Sequence, residues 1–185
     1  KRLSGFIFGD VAMNFMSPDT VFAQAGNNRQ GLPAWTYNNA ELTELEINNI
    51  FLKTWLWAGH VSEISKVGDY QCMELAHERA VIIRGEDGVV RAFHNVCNHR
   101  ASRVVPDDKG HCRNALVCPF HGWSYHLDGR LKNIPRAETF PAIDKSVLGL
   151  KPIECEVWHG MIFIRFFGSG PSVAETLKDA EEEIS

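Results

Sequence analysis

The sequence predicts a mainly β fold, an antiparallel β-sandwich or barrel with an N-terminal helix and the start of a C-terminal helix. Three observations lead there. Short runs rich in Val, Ile, Phe and Tyr recur between turn residues from about Trp57 to Phe166. Asp87-Gly88 separates two such runs in the manner of a tight hairpin. Helical signals are confined to the two flanks, apolar spacing after Asn39 and capping-box spacing at Ser172 and Glu175.

Taken in order, residues 1–38 read as an irregular segment, with a loop at Gly26-Asn27-Asn28-Arg29-Gln30-Gly31. Asn39 is placed to cap a helix running to about Trp55, whose apolar face is Leu42, Leu45, Ile50, Phe51 and Trp55. That face is expected to be packing surface. A β-domain then spans 56–170. Its strands are expected at Tyr70–Leu75, Ala80–Arg84, Val89–His94, Ala115–Cys118, Trp123–Leu127, Ile153–Trp158 and Met161–Phe166. Asp128-Gly129 and His159-Gly160 supply further turns. Over 171–185, Ser172 and Glu175 have capping-box spacing and begin a helix or linker.

A chain of 185 residues suits one domain with extensions. A net charge of −4, with no basic run interleaved with aromatics, gives no footprint for nucleic acid or an anionic membrane. Phe6 to Ala25 has the outline of a signal peptide, but Asp10, Asn14 and Ser17-Pro18-Asp19 interrupt its apolar core. No window approaches the roughly 18 apolar residues of a membrane span. Three of the five cysteines, Cys72, Cys112 and Cys155, are left over from the motif described next, and an odd remainder is not a disulfide framework. Reduced thiols point to the cytoplasm.

The chemistry is concentrated in Cys97-Asn98-His99 and Cys118-Pro119-Phe120-His121. Each short pair can give a thiolate to one iron and an imidazole to the other, the ligand set of a Rieske [2Fe–2S] centre. Pro119 fixes one φ angle and Gly122 permits a tight exit. Structural zinc is the competing use of two cysteines and two histidines, although zinc sites more often pair like with like along the chain. Cys112, between the pairs, is the rival ligand and reads as an ordinary thiol.

These loops, with Arg100 and the run Gly122-Trp123-Ser124-Tyr125, resemble the N-terminal Rieske domain of aromatic ring-hydroxylating (Rieske non-haem iron) oxygenase α subunits. The resemblance runs from Leu32-Pro33-Ala34-Trp35 to the C-terminus through Gly68-Asp69-Tyr70, Val89–Val96 and Leu127–Leu131. It implies a Rieske-type β-sandwich and a [2Fe–2S] cluster on Cys97, His99, Cys118 and His121. Ser102 and Phe120 stand where respiratory Rieske proteins carry a disulfide, and Trp123 stands where they carry a serine donor to the cluster. Tyr125 remains as a donor. Arg100 and Trp123 are expected to tune the cluster or shape a docking surface, with core packing an equal alternative for Trp123. Ala101 departs from the glycine usual after His-Arg.

The resemblance further implies an NAD(P)H-dependent mono- or dioxygenase, a reductase or ferredoxin as donor, and a homotrimer. Electrons would pass to a mononuclear Fe(II), held by two histidines and a carboxylate in the same or a neighbouring subunit. Such a set is not expected in this chain. His94/His99 and His121/His126 have the right spacing but spend histidines already assigned to the cluster. His60, His77, His111 and His159 read as surface or turn residues. No catalytic residue is therefore assigned, and the oxygen-activating domain is expected outside the sequence. A stand-alone Rieske ferredoxin and a zinc-stabilised interaction module remain as alternatives. With few donors to the cluster, its midpoint should fall in the lower part of the Rieske range of about −150 to +300 mV, as redox titration will read.

Overall fold

The computed structural model describes residues 31–140 and 144–184. The expectations for residues 1–30, including Phe6 to Ala25 and nearly all of the loop ending at Gly31, lie outside them. The described residues fall into two units, divided between Leu42 and Thr43.

A 3-10 turn at Ala34–Tyr37 precedes helix α1, Ala40–Asn49. The Asn39 side chain caps it, accepting the Leu42 N–H at 2.9 Å. The helix stops short of Trp55. Asn48 and Asn49 turn their amides back onto the carbonyls of Glu44 and Leu45. Such backward side-chain bonds compete with helix propagation, the Glu46 carbonyl takes the Ile50 N–H, and a separate 3-10 turn follows at Phe51–Lys53. Leu45, Ile50 and Phe51 are exposed, whereas Leu52 enters the core. Trp55 lies under the Arg165 guanidinium, 4.3 Å from the ring centre.

Ten strands follow: β1 Leu56–His60, β2 Asp69–Leu75, β3 Glu78–Arg84, β4 Val90–His94, β5 Lys109–His111, β6 Leu116–Val117, β7 Ser124–Tyr125, β8 Leu131–Asn133, β9 Pro152–Trp158 and β10 Met161–Arg165. Seven form one sheet in the order β1-β10-β9-β4-β3-β2-β5, and β6-β7-β8 form a second, with antiparallel pairing throughout. The fold is the antiparallel β architecture that the sequence predicts. At the far end Ser172 and Glu175 make their reciprocal capping box on a short helix, α2, Val173–Thr176. A 3-10 turn at Lys178–Ala180 and a last helical turn, α3, Glu181–Ile184, complete the described chain.

β3 is buried on both faces. Val81 and Ile83 join a core with Tyr70, Phe93, Leu116, Trp123, Tyr125 and Leu127 under the small sheet. Ala80 and Ile82 join a second core with Val90, Ala92, Ile153, Ile162 and Ile164. Such double burial makes Ala80-Val81-Ile82-Ile83 a continuous apolar run instead of an alternating one. Each fully buried Val or Ile contributes about 1.5–3 kcal/mol.

The large sheet curls until β1, at one edge, meets β2, next to the other. Gln71, 3 % exposed, closes the gap by donating its side-chain N–H to the Ala58 carbonyl. Gly59 makes room for it at a break in the β1 register. Its φ is +129°, and a Cβ there would lie 2.5 Å from the Gln71 amide nitrogen.

Strands β1, β5 and β8 are not foreshadowed by the sequence. Lys109-Gly110-His111 has no apolar side chain, and it becomes a strand only by pairing with Asp69, Tyr70 and Gln71 at the sheet edge. Among the described residues, no helix is long and apolar enough to cross a membrane. Replacing Gln71 with Ala removes the buried side-chain donor that the Ala58 carbonyl accepts. Stability should fall by about 1–3 kcal/mol, read by chemical denaturation.

Candidate metal centre

Cys97 and Cys118 begin two hairpin loops of the same backbone design. Each cysteine N–H donates to the carbonyl five residues on, Ser102 or Trp123, at 2.8 Å in both loops. Each cysteine carbonyl accepts the N–H four residues on, Ala101 at 2.9 Å and Gly122 at 3.0 Å. That fourth residue is left-handed in both, with φ +55° at Ala101 and +74° at Gly122. The shared backbone explains why glycine suits the place Ala101 occupies. Within these matching frames the histidines differ in register, His99 two residues after its cysteine and His121 three.

The loops sort their side chains by burial. Cys97 and Cys118 are each 2 % exposed, His99 is half-buried and His121 is exposed. The two imidazoles meet nearly edge to face, with centroids 4.5 Å apart at 74°. Trp123 is buried and stacks flat on His99, 5.1 Å between centroids and 6° between planes. Trp123 thus belongs to the first core and also touches His99. Phe140 sets its edge against both rings. Arg100 is exposed beside His99, and Phe120, also exposed, packs 4.1 Å from His121.

Tyr125 is fully buried and joins the loops. It follows the second, yet its hydroxyl accepts the Asn98 N–H of the first at 3.1 Å. The same hydroxyl lies 3.2 Å from the Cys97 sulfur, to which it donates when that sulfur is a thiolate. Asn95, buried just upstream, supports the first loop from behind. Its Oδ1 accepts the N–H groups of Val104 and Val105, and its Nδ2 donates to the Val105 carbonyl. Asn95 carries no motif signal in the sequence, and its role comes from the backbone groups of Val104 and Val105 that face it.

Charge is arranged to suit a metal. Burial pushes the Cys97 thiol above its usual range, and the Tyr125 hydrogen bond offsets part of that rise. A thiolate so enclosed is stabilised by a cation at the sulfur. Burial, then the neighbouring His121 and Arg100, lowers the His99 pKa and favours the neutral imidazole that ligates metals. The Nδ1 of His99 is buried without a hydrogen-bond partner. An orphaned imidazole nitrogen beside two enclosed sulfurs fits a [2Fe–2S] group, with Cys97, Cys118, His99 and His121 able to hold it. Among the described residues, no three His, Cys, Asp or Glu side chains gather as around a single ion.

The remaining candidates lie elsewhere. Cys112 hangs its N–H on the Gly68 carbonyl and packs, half-buried, at the rim of the first core. Burial raises the thiols of Cys72 and Cys155, to about 11 and about 12. His94 is buried against Phe166 and Phe167 with its Nδ1 3.0 Å from Glu78. His60, His77, His111 and His159 are on the surface.

Fold and loops together are those of a small β-domain suited to carrying a redox group. A model of the Rieske [2Fe-2S] domain matches residues 54–147, and the chain belongs to that family. It is 33% identical over 169 residues to the carnitine monooxygenase oxygenase subunit of Escherichia coli (strain K12), covering 89% of this chain and 45% of that one. It is 39% identical over 150 residues to the glycine betaine monooxygenase oxygenase subunit of Pseudomonas aeruginosa (strain UCBPP-PA14), covering 81% and 34%. A quaternary ammonium Rieske monooxygenase in complex with L-carnitine superposes with a TM-score of 0.77 at 32% identity, over 82% of this chain and 43% of that one. Naphthalene 1,2-dioxygenase from Rhodococcus sp. gives 0.78 at 28%, over 89% and 39%. The chain thus spans less than half the length of these relatives. It is a Rieske domain of the kind found in Rieske oxygenase subunits.

Two outcomes test this geometry. Ala101→Gly should relieve the left-handed strain in the first loop and raise stability by up to about 1 kcal/mol, seen as a higher melting temperature. Tyr125→Phe removes a donor whose bond strengthens as the centre gains an electron. The midpoint should fall by some tens of mV in a redox titration, about 40 mV per kcal/mol lost.

Proposed function

We propose that Cys97 and Cys118 ligate one iron and His99 and His121 the other, and that the chain is the electron-transfer portion of a Rieske non-haem iron oxygenase. The observation that carries this reading is the pair of matching loops, sulfurs enclosed and imidazoles outward, within a matched Rieske domain. A cluster of this type supplies reversible one-electron transfer. The protein's part is to keep water from the sulfurs, to aim one hydroxyl at Cys97, and to present the His121 edge where an electron can enter or leave.

The donor is a reductase or ferredoxin drawing on NAD(P)H. The acceptor is a mononuclear iron that activates O2, in the same or a neighbouring subunit of a trimer, and the site of action is the cytoplasm. The coverage of the relatives supports assigning oxygen chemistry to a further domain. Two relatives are named for carnitine and glycine betaine, so oxidation of a quaternary ammonium compound is favoured over ring dihydroxylation. Chlorobenzene dioxygenase subunit alpha of Cupriavidus sp., 32% identical over 146 residues, supports the second reading.

Iron and sulfide analysis with low-temperature EPR of the reduced protein tests the assignment. Two irons, two sulfides and a Rieske-type signal are expected. Cys97→Ser should abolish the signal, and His121→Cys should retain some cluster at a lower potential. A colourless protein with stoichiometric zinc would falsify the reading.

A further inference from the structure

Asn98 stands between Cys97 and His99, at a position the ligand set leaves unassigned. Its side chain does not turn toward the ligands. Its Nδ2 reaches fifty residues along the chain and donates to two successive carbonyls, Leu148 at 3.1 Å and Gly149 at 2.5 Å. From there a chain of hydrogen bonds leads back. Leu150 N–H donates to the Gly129 carbonyl at 2.7 Å, in the turn between β7 and β8. That turn is closed by His126 N–H to Arg130 O and Gly129 N–H to His126 O. One residue before His126, the Tyr125 hydroxyl accepts the backbone N–H of Asn98 itself. The circuit begins on the side chain of one residue and ends on its backbone.

We infer that Asn98 is a positioning residue which locks the two ligand loops at a fixed separation through the strap containing Leu148 and Gly149. This rests on the proposed ligand assignment. The first loop is otherwise tied to the second by the two contacts of the Tyr125 hydroxyl and by the ring contacts of His99 with Trp123 and His121, which leave its Asn98 end without a direct hold on the strap. The Asn98 amide adds that hold from the side of the loop away from the rings. The strap is itself held in place: Leu148 packs against the first core, and a Cβ on Gly149 would lie 3.0 Å from the Gly129 carbonyl oxygen. The chemistry selects asparagine. Two adjacent carbonyls need two N–H groups from one short side chain. Serine offers one donor, and aspartate would set a carboxylate against two carbonyl oxygens.

The test is a double-mutant cycle on the cluster-loaded protein, with Asn98→Ala breaking the lock from the loop and Gly149→Ala from the strap. The readouts are the rate at which visible cluster absorbance is lost in air, and the g-values and linewidth of the reduced EPR signal. Each variant should lose its cluster about tenfold faster than wild type with a broadened signal and unchanged far-UV circular dichroism, and the double variant should be no worse than either alone. Asn98→Asp should be faster still. A Rieske signal in wild type with Asn98→Ala unaltered in rate and linewidth, or additive effects in the double variant, would overturn the lock and leave the ligand assignment standing. Absence of the signal in wild type would overturn both.

Discussion

The hydroxyl of Tyr125 is the interaction on which the site's architecture depends. It is fully buried, belongs to the strand leaving the second loop, and is spent on two atoms of the first. A buried hydroxyl without partners is costly, so its two contacts are strongly fixed by the fold. They set how far apart the two cysteine frames stand. Everything that shapes Tyr125 therefore reaches the loops: the pairing of Leu116 with Tyr125, and the packing of Val81, Ile83 and Phe93 in the same core.

The double-sided burial of β3 gives the molecule two cores with separate duties. One supports the small sheet and its loops, and the other fills the curl of the large sheet. Gln71 maintains the curl with a single side-chain bond where a ladder would otherwise continue. Arg165 plays a comparable part at the C-terminal end. Its guanidinium pairs with Glu154, covers Trp55 and reaches toward the Pro171 carbonyl, which also accepts the Trp55 indole N–H. The chain leaving the sheet is thus fixed until Ser172 starts α2.

Much of this was legible in the residues because it is encoded locally. Asp87-Gly88, Asp128-Gly129 and His159-Gly160 mark turns whose backbone needs positive φ, and each turn is present. The Cys/His pairs are short enough to declare themselves. What was not legible depends on partners distant in sequence. The β5 strand exists only through β2, and Asn95 and Asn98 do their work on residues ten and fifty positions away. The equivalence of the two loops was hidden by the unequal spacing of their histidines. It emerges from the hydrogen bonds and the shared left-handed residue.

The gradient of exposure across the site gives it an inner and an outer side. Sulfurs with almost no accessible surface lie beneath imidazoles that reach solvent. Anything that approaches the closed domain from solvent meets imidazole before sulfur, so burial holds off reagents that consume thiols while leaving the His121 ring within reach.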